Sequence, residues 1–194
     1  KIITGWNHSL YIKEDGSLWG MGRNSMGHLG DNSTTNRSTP IQIESGSVLA
    51  ASAGDNHSLY LKSDGSLWAM GRNNYGQLGD STNSDRLSAV QIESDSVNSI
   101  SAGAFHSFYL KNDGSLWAMG RNDWYQLGDG TSTNRSTPVQ IQSNEIVSIA
   151  VGGHHNLYIK ENGSLWTFGY NLNGRLGDGT TTNRSTPVQI ESGG

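Results

Sequence analysis

Residues 57–71 read His57-Ser58-Leu59-Tyr60-Leu61-Lys62-Ser63-Asp64-Gly65-Ser66-Leu67-Trp68-Ala69-Met70-Gly71. Two β-rich runs flank Asp64-Gly65, a pair that reaches the positive φ of a two-residue hairpin, so the segment folds back as two antiparallel strands. The stretch returns every 49 residues: Trp19, Trp68, Trp117 and Trp166 fall in step, as do His8, His57, His106 and His155. The turn recurs at Asp15-Gly16, Asp113-Gly114 and Asn162-Gly163. A period of this size belongs to propellers, solenoids and arrays.

Working outward, Val139-Gln140-Ile141 alternates with period two behind Pro138, a residue suited to a strand start or edge. Ile146-Val147-Ser148-Ile149-Ala150 forms a further strand ending near Gly152. With the hairpin, this makes four strands at meander spacing, lettered A (before the Gly), B, C and D (after the Pro), which is one propeller blade. No helical period competes. The expected fold class is therefore all-β, a β-propeller of four four-stranded blades in one repeat domain, 1–194. The blades are 1–47, 48–96, 97–145 and 146–194.

Composition narrows the function. The chain has 194 residues, 33% of them hydrophobic and concentrated at regular positions, which suffices for one cored domain. No apolar run approaches 18 residues and no signal-peptide pattern stands at residue 1, so membrane insertion is not expected. Cysteine is absent, which removes disulfides and thiolate chemistry. Of 13 basic residues only Lys1 and Arg175 lie off the repeat. The repeated lysines stand beside Glu14, Asp15, Asp64, Asp113 and Glu161, so their field is cancelled at short range and nucleic acid is not an expected partner.

The combination A-G-x-x-H-S, D-G-S-L-W, G-x-N-x-x-G-Q-L-G-D-G and T-P-V-Q-I resembles the repeat of the regulator of chromosome condensation family in its bacterial style, over essentially the whole chain. The resemblance implies a β-propeller, usually closed by seven units. It also implies functions: a nucleotide exchange factor for a small nuclear GTPase that binds chromatin, secreted bacterial inhibitors of β-lactamases, and above all interaction scaffolds. An extracellular or cell-surface setting is accordingly favoured over a cytoplasmic one. This sequence has four units. In register Lys1 matches Ala50 and Gly194 matches Ser47, so the boundary falls between strands D and A. A four-bladed ring, an eight-bladed ring of two chains and a longer array are the alternatives. Pairing into a homodimer is the expectation.

Residues common to every unit read first as scaffold. The strand-C Trp is expected to pack between neighbouring sheets, and the His to bond backbone groups of its own A–B corner. Asp31, Asp80, Asp129 and Asp178 each precede an Arg by six residues, as loop-stabilising ion pairs do. No catalytic, metal-binding or cofactor-binding set stands out.

The informative residues are those that differ between copies. Between Gly and His the units read Trp6-Asn7, Asp55-Asn56, Ala104-Phe105 and Gly153-His154; the C–D loops carry Tyr75 and Trp124, and Tyr125 replaces a repeated Gly. Strand direction alternates, so A–B and C–D loops leave the same face. The candidate binding residues are thus Trp6, Asn7, Asp55, Asn56, Tyr75, Phe105, Trp124, Tyr125 and His154. The expected function is a non-enzymatic binding or assembly scaffold for a protein or glycan. A GTPase regulator, implied by the resemblance alone, is the second reading.

Overall fold

The computed structural model describes residues 1–194 as sixteen strands without a helix. Blade 1 contains β1 (Ile2–Thr4), β2 (His8–Ile12), β3 (Leu18–Gly22) and β4 (Arg37–Glu44); blade 2 contains β5 (Val48–Ala53), β6 (His57–Lys62), β7 (Leu67–Gly71) and β8 (Arg86–Glu93). Blade 3 contains β9 (Val97–Ala102), β10 (His106–Lys111), β11 (Leu116–Gly120) and β12 (Arg135–Gln142); blade 4 contains β13 (Ile146–Val151), β14 (His155–Lys160), β15 (Leu165–Gly169) and β16 (Arg184–Glu191). Each sheet is a sequential antiparallel meander.

Local chemistry builds the hairpins. In blade 2, β6 and β7 pair from His57 opposite Gly71 to Leu61 opposite Leu67. Asp64 Oδ1 accepts from the Ser66 backbone N–H at 2.9 Å and from its hydroxyl at 2.6 Å. That hydroxyl accepts in turn from Trp68 Nε1 at 3.0 Å. Gly65 has φ 82°, and a Cβ there would lie 2.8 Å from the Ser96 nitrogen, so both backbone and space require glycine. The D strands run longer than the expected Val139–Ile141. Arg135 pairs with Gly120 across an irregularity, so Pro138 sits inside β12, which is tolerable because β12 is an edge strand.

The core lies between blades. Leu59, Leu61, Leu67, Ala69 and Leu78 of blade 2 enclose Val97, Tyr109 and Met119 of blade 3, and equivalent sets fill the other two boundaries. As expected, the strand-C indoles Trp68, Trp117 and Trp166 pack against the clusters between neighbouring blades, where they are half-buried. Trp68 stacks on Tyr60 at 6.2 Å and Lys62 Nζ lies 4.9 Å above it. The histidines differ from expectation. His57 Nε2 reaches across the boundary to Ser107 Oγ at 3.0 Å rather than to its own corner. A glycine beside the ring makes room, since a Cβ on Gly54 would stand 2.3 Å from His57 Cε1.

The four blades form an open arc. Ile159 is 40% exposed, whereas its equivalents Leu61 and Leu110 are each 3% exposed. On blade 1, Tyr11 and Met21 are half-exposed, although Tyr109 and Met119 in blade 3 are fully buried. Of the two ring forms weighed from sequence, the structure takes the half-ring.

Candidate recognition surface

The C–D loops are held by a buried asparagine. Asn73 Oδ1 accepts from Leu78 N–H at 3.0 Å, while its amide donates to Asp80 Oδ1 at 2.8 Å and the Thr82 carbonyl at 3.0 Å. Asn24, Asn122 and Asn171 repeat the arrangement. Arg86 Nε bonds Asp80 Oδ2 at 2.5 Å, and Asp31–Arg37, Asp129–Arg135 and Asp178–Arg184 pair likewise, as the spacing indicated. Burial alone would raise Asp80, but the Thr82 hydroxyl, Arg86 and Asn73 outweigh it and hold the carboxyl below its usual range. The loops are therefore rigid supports for the side chains at their tips.

Those tips form a band of aromatic and guanidinium groups crossing two blade boundaries. Tyr75 meets Phe105 edge-on at 5.6 Å. The Arg121 guanidinium lies 5.0 Å from Tyr75, 5.7 Å from Phe105 and 4.7 Å from Trp124. Trp124 stacks on Tyr170 at 5.0 Å and meets His154 edge-on at 4.6 Å. Arg175 stands 4.7 Å over Tyr170, and Arg72 5.5 Å over Phe105. All eight side chains are half-buried, so they pack on one another and still offer surface. His154 is held below its ordinary pKa by burial and then by Arg121, so it is neutral near pH 7.

Trp6 lies apart and is 79% exposed. With Asp55 and His154 it lines a concavity of about 540 Å³ whose walls include Gly5, Gly54, Gly103 and Gly152 at the inner ends of the A strands. Asp55 is raised by burial against the opposing pull of Arg72.

The structure thus gathers Tyr75, Phe105, Trp124 and His154 into one band, and places Trp6, Asp55 and His154 around one concavity. Asn7 is exposed at the blade 1 corner, and Asn56 is half-buried with its carbonyl accepting from Arg72 N–H at 2.8 Å. Neither joins the band. Tyr125 is half-buried at φ 63°, where Gly27, Gly76 and Gly174 have φ 78°, 79° and 71°. Sequence reading missed Arg72, Arg121, Tyr170 and Arg175. Two signals were present: Arg175 lies off the repeat, and Tyr170 interrupts the Arg23, Arg72, Arg121 series.

The chain belongs to the RCC1-like domain family, whose model matches residues 1–193. Human WBSCR16 is 22% identical with a TM-score of 0.85, covering 98% of this chain and 54% of that one. Prp20p from Saccharomyces cerevisiae is 23% identical with a TM-score of 0.86, covering 99% and 50%. Yeast RCC1 (Prp20) bound to Kap60 is 22% identical with a TM-score of 0.87, covering 99% and 48%. This chain therefore spans about half the length of the solved chains it matches, and the likeness is one of fold. No curated protein matches the sequence.

Proposed function

We propose that this RCC1-like chain is a non-enzymatic binding scaffold whose loop face engages a protein partner. The carrying observation is the band from Arg72 to Arg175, in which rigid aromatic rings alternate with guanidinium groups. Tyr, Trp and Arg are the residue types that dominate the energetic centres of protein interfaces, because they combine large area, few lost rotamers and directional bonding. The asparagine-anchored loops keep these side chains organised before binding, which lowers the ordering cost. The concavity beside Trp6 gives a protruding partner side chain a place to enter.

Regulation of a GTPase is a second reading. It rests on the fold shared with Prp20p, a protein characterised for its binding to Gsp1p and histones. The absence of an uncompensated basic stretch weighs against a DNA-directed role here.

The test is affinity capture from the source proteome by the wild-type chain and by Arg121→Ala, with a glycan array and a nucleotide-exchange assay alongside. Capture of one protein that Arg121→Ala loses supports the scaffold reading. Binding confined to the glycan array, or accelerated nucleotide release from a GTPase, would replace it.

A further inference from the structure

The concavity at the inner ends of the A strands is bordered by one carboxylate and one large exposed ring. The first residue of each A–B corner, Trp6, Asp55, Ala104 or Gly153, lines it, so the four copies put four different side chains around one opening. Two of them are anchored across a blade boundary. The Trp6 N–H reaches the Gly54 carbonyl at 3.3 Å, which holds the indole beside Asp55, and the Asp55 N–H reaches the Ala104 carbonyl at 3.3 Å.

Both side chains lack the partner that their chemistry calls for. Trp6 is 79% exposed, and it differs from every other tryptophan of the chain in facing no cation. Lysines stand over Trp19, Trp68, Trp117 and Trp166 at 3.8, 4.9, 5.1 and 5.4 Å, and Arg121 over Trp124 at 4.7 Å. Asp55 is the one lining residue charged at pH 7, because His154 is neutral there. Its carboxylate makes no hydrogen bond or ion pair. Arg72, whose field reaches it, is held elsewhere: Nε donates to Asn74 Oδ1 at 2.8 Å and the guanidinium lies 5.5 Å from the Phe105 ring. Burial raises the Asp55 carboxyl, a cost that a cation in contact would offset.

Neither group depends on what adjoins blades 1 and 4. Where one blade follows another, the earlier C–D loop reaches the second corner residue, as Tyr75 does to Phe105 and Trp124 to His154, and not the first. Any further blade would set its own A strand around the same axis.

We infer that the concavity receives a basic side chain, lysine or arginine, of the protein partner, its charged head on the Asp55 carboxylate and against the Trp6 ring. The inference rests on the reading that the loop face binds a protein, and it specifies one residue that the partner carries. Asp55 repels an anionic side chain, and an apolar one would bury the carboxylate without a partner. A basic side chain alone satisfies both groups.

The experiment titrates the 1–194 chain with butylammonium and butylguanidinium, with butanol as the uncharged control, and follows the Trp6 indole N–H and the Asp55 amide by NMR. Asp55→Asn and Trp6→Ala are titrated beside the wild type, with melting as the check on folding. At least one cation is expected to shift both signals saturably and to bind about tenfold or more tightly than butanol. A preference for the ammonium points to lysine, and one for the guanidinium to arginine. Asp55→Asn is expected to remove the advantage over butanol, and Trp6→Ala to weaken both cations. Cations that bind no better than butanol, or that bind Asp55→Asn as they bind wild type, would overturn the inference. The titration needs no partner. Its failure beside capture that depends on Arg121 would strike this inference alone, whereas cation binding with no protein captured would strike the reading on which it rests.

Discussion

His57 Nε2 lies 3.0 Å from Ser107 Oγ, and that hydroxyl donates onward to the Gln77 carbonyl at 2.7 Å. One buried serine of blade 3 thus satisfies two groups of blade 2. Ser107→Ala leaves both groups unpaired in a dry boundary, and the expected loss is about 1–3 kcal/mol. Ser107→Asn, the residue that blade 4 uses as Asn156, is expected to lose less. Urea midpoints at unchanged m-value check both.

The buried histidines make stability depend on acid. Burial pushes His57 and His8 down to about 3, and His28 and His106 down to about 4, with neighbouring imidazoles adding to the effect at His57 and His8. Their unfolded value is about 6.5, so the unfolded chain binds more protons as pH falls. The stability from these groups is complete above about pH 6.5 and is lost as pH drops toward 3–4, at up to about 1.4 kcal/mol per pH unit for each. Urea unfolding at pH 7, 6 and 5 should show falling midpoints. Equal midpoints at pH 7 and 5 would mean that these rings are not held neutral.

Two glycines with similar φ predict different costs. Gly65 has φ 82° and a Cβ would meet the Ser96 nitrogen at 2.8 Å, whereas Gly179 has φ 76° and nothing within 4 Å. Gly179→Ala should cost about 1 kcal/mol from backbone strain alone. Gly65→Ala should cost more, because the D–A linker must also move. Thermal melting of the pair tests the ranking.

Tyr125 occupies the left-handed conformation that its three counterparts fill with glycine. Tyr125→Gly removes that strain and is expected to hold or raise stability, by up to about 1 kcal/mol. Strained non-glycine residues gather at functional positions, so the same variant is expected to weaken partner capture. A stability loss with full capture would make Tyr125 a packing residue.

The blade was legible because its signals are local. Asp64-Gly65 between β-rich runs and a strict repeat of Trp68 and His57 specify strands and turns without long-range information. The Asp80–Arg86 pair was legible for the same reason, being six residues apart in one loop. What escaped depends on how one blade sits on the next. His57 and Ser107 are separated by one whole repeat, and nothing local points one at the other. Arg121 looked like scaffold because Arg23 and Arg72 share its position, yet only the placement of Tyr75 and Trp124 on either side turns it into the centre of a band. Asn73, identical in every copy, reads as scaffold, and only the folded loop shows it buried and bonded to Leu78, Asp80 and Thr82.

The central claim is that recognition belongs to the loop face and not to the hairpin face. It is tested by measuring affinity for a captured partner with two variants whose melting is matched to wild type. One carries Trp6→Ala with Arg121→Ala on the loop face; the other carries Glu14→Ala with Glu161→Ala on the opposite face, both exposed and without a side-chain bond. The account predicts at least tenfold weaker binding for the first and unchanged binding for the second. Unchanged binding for the first, or loss confined to the second, would contradict it.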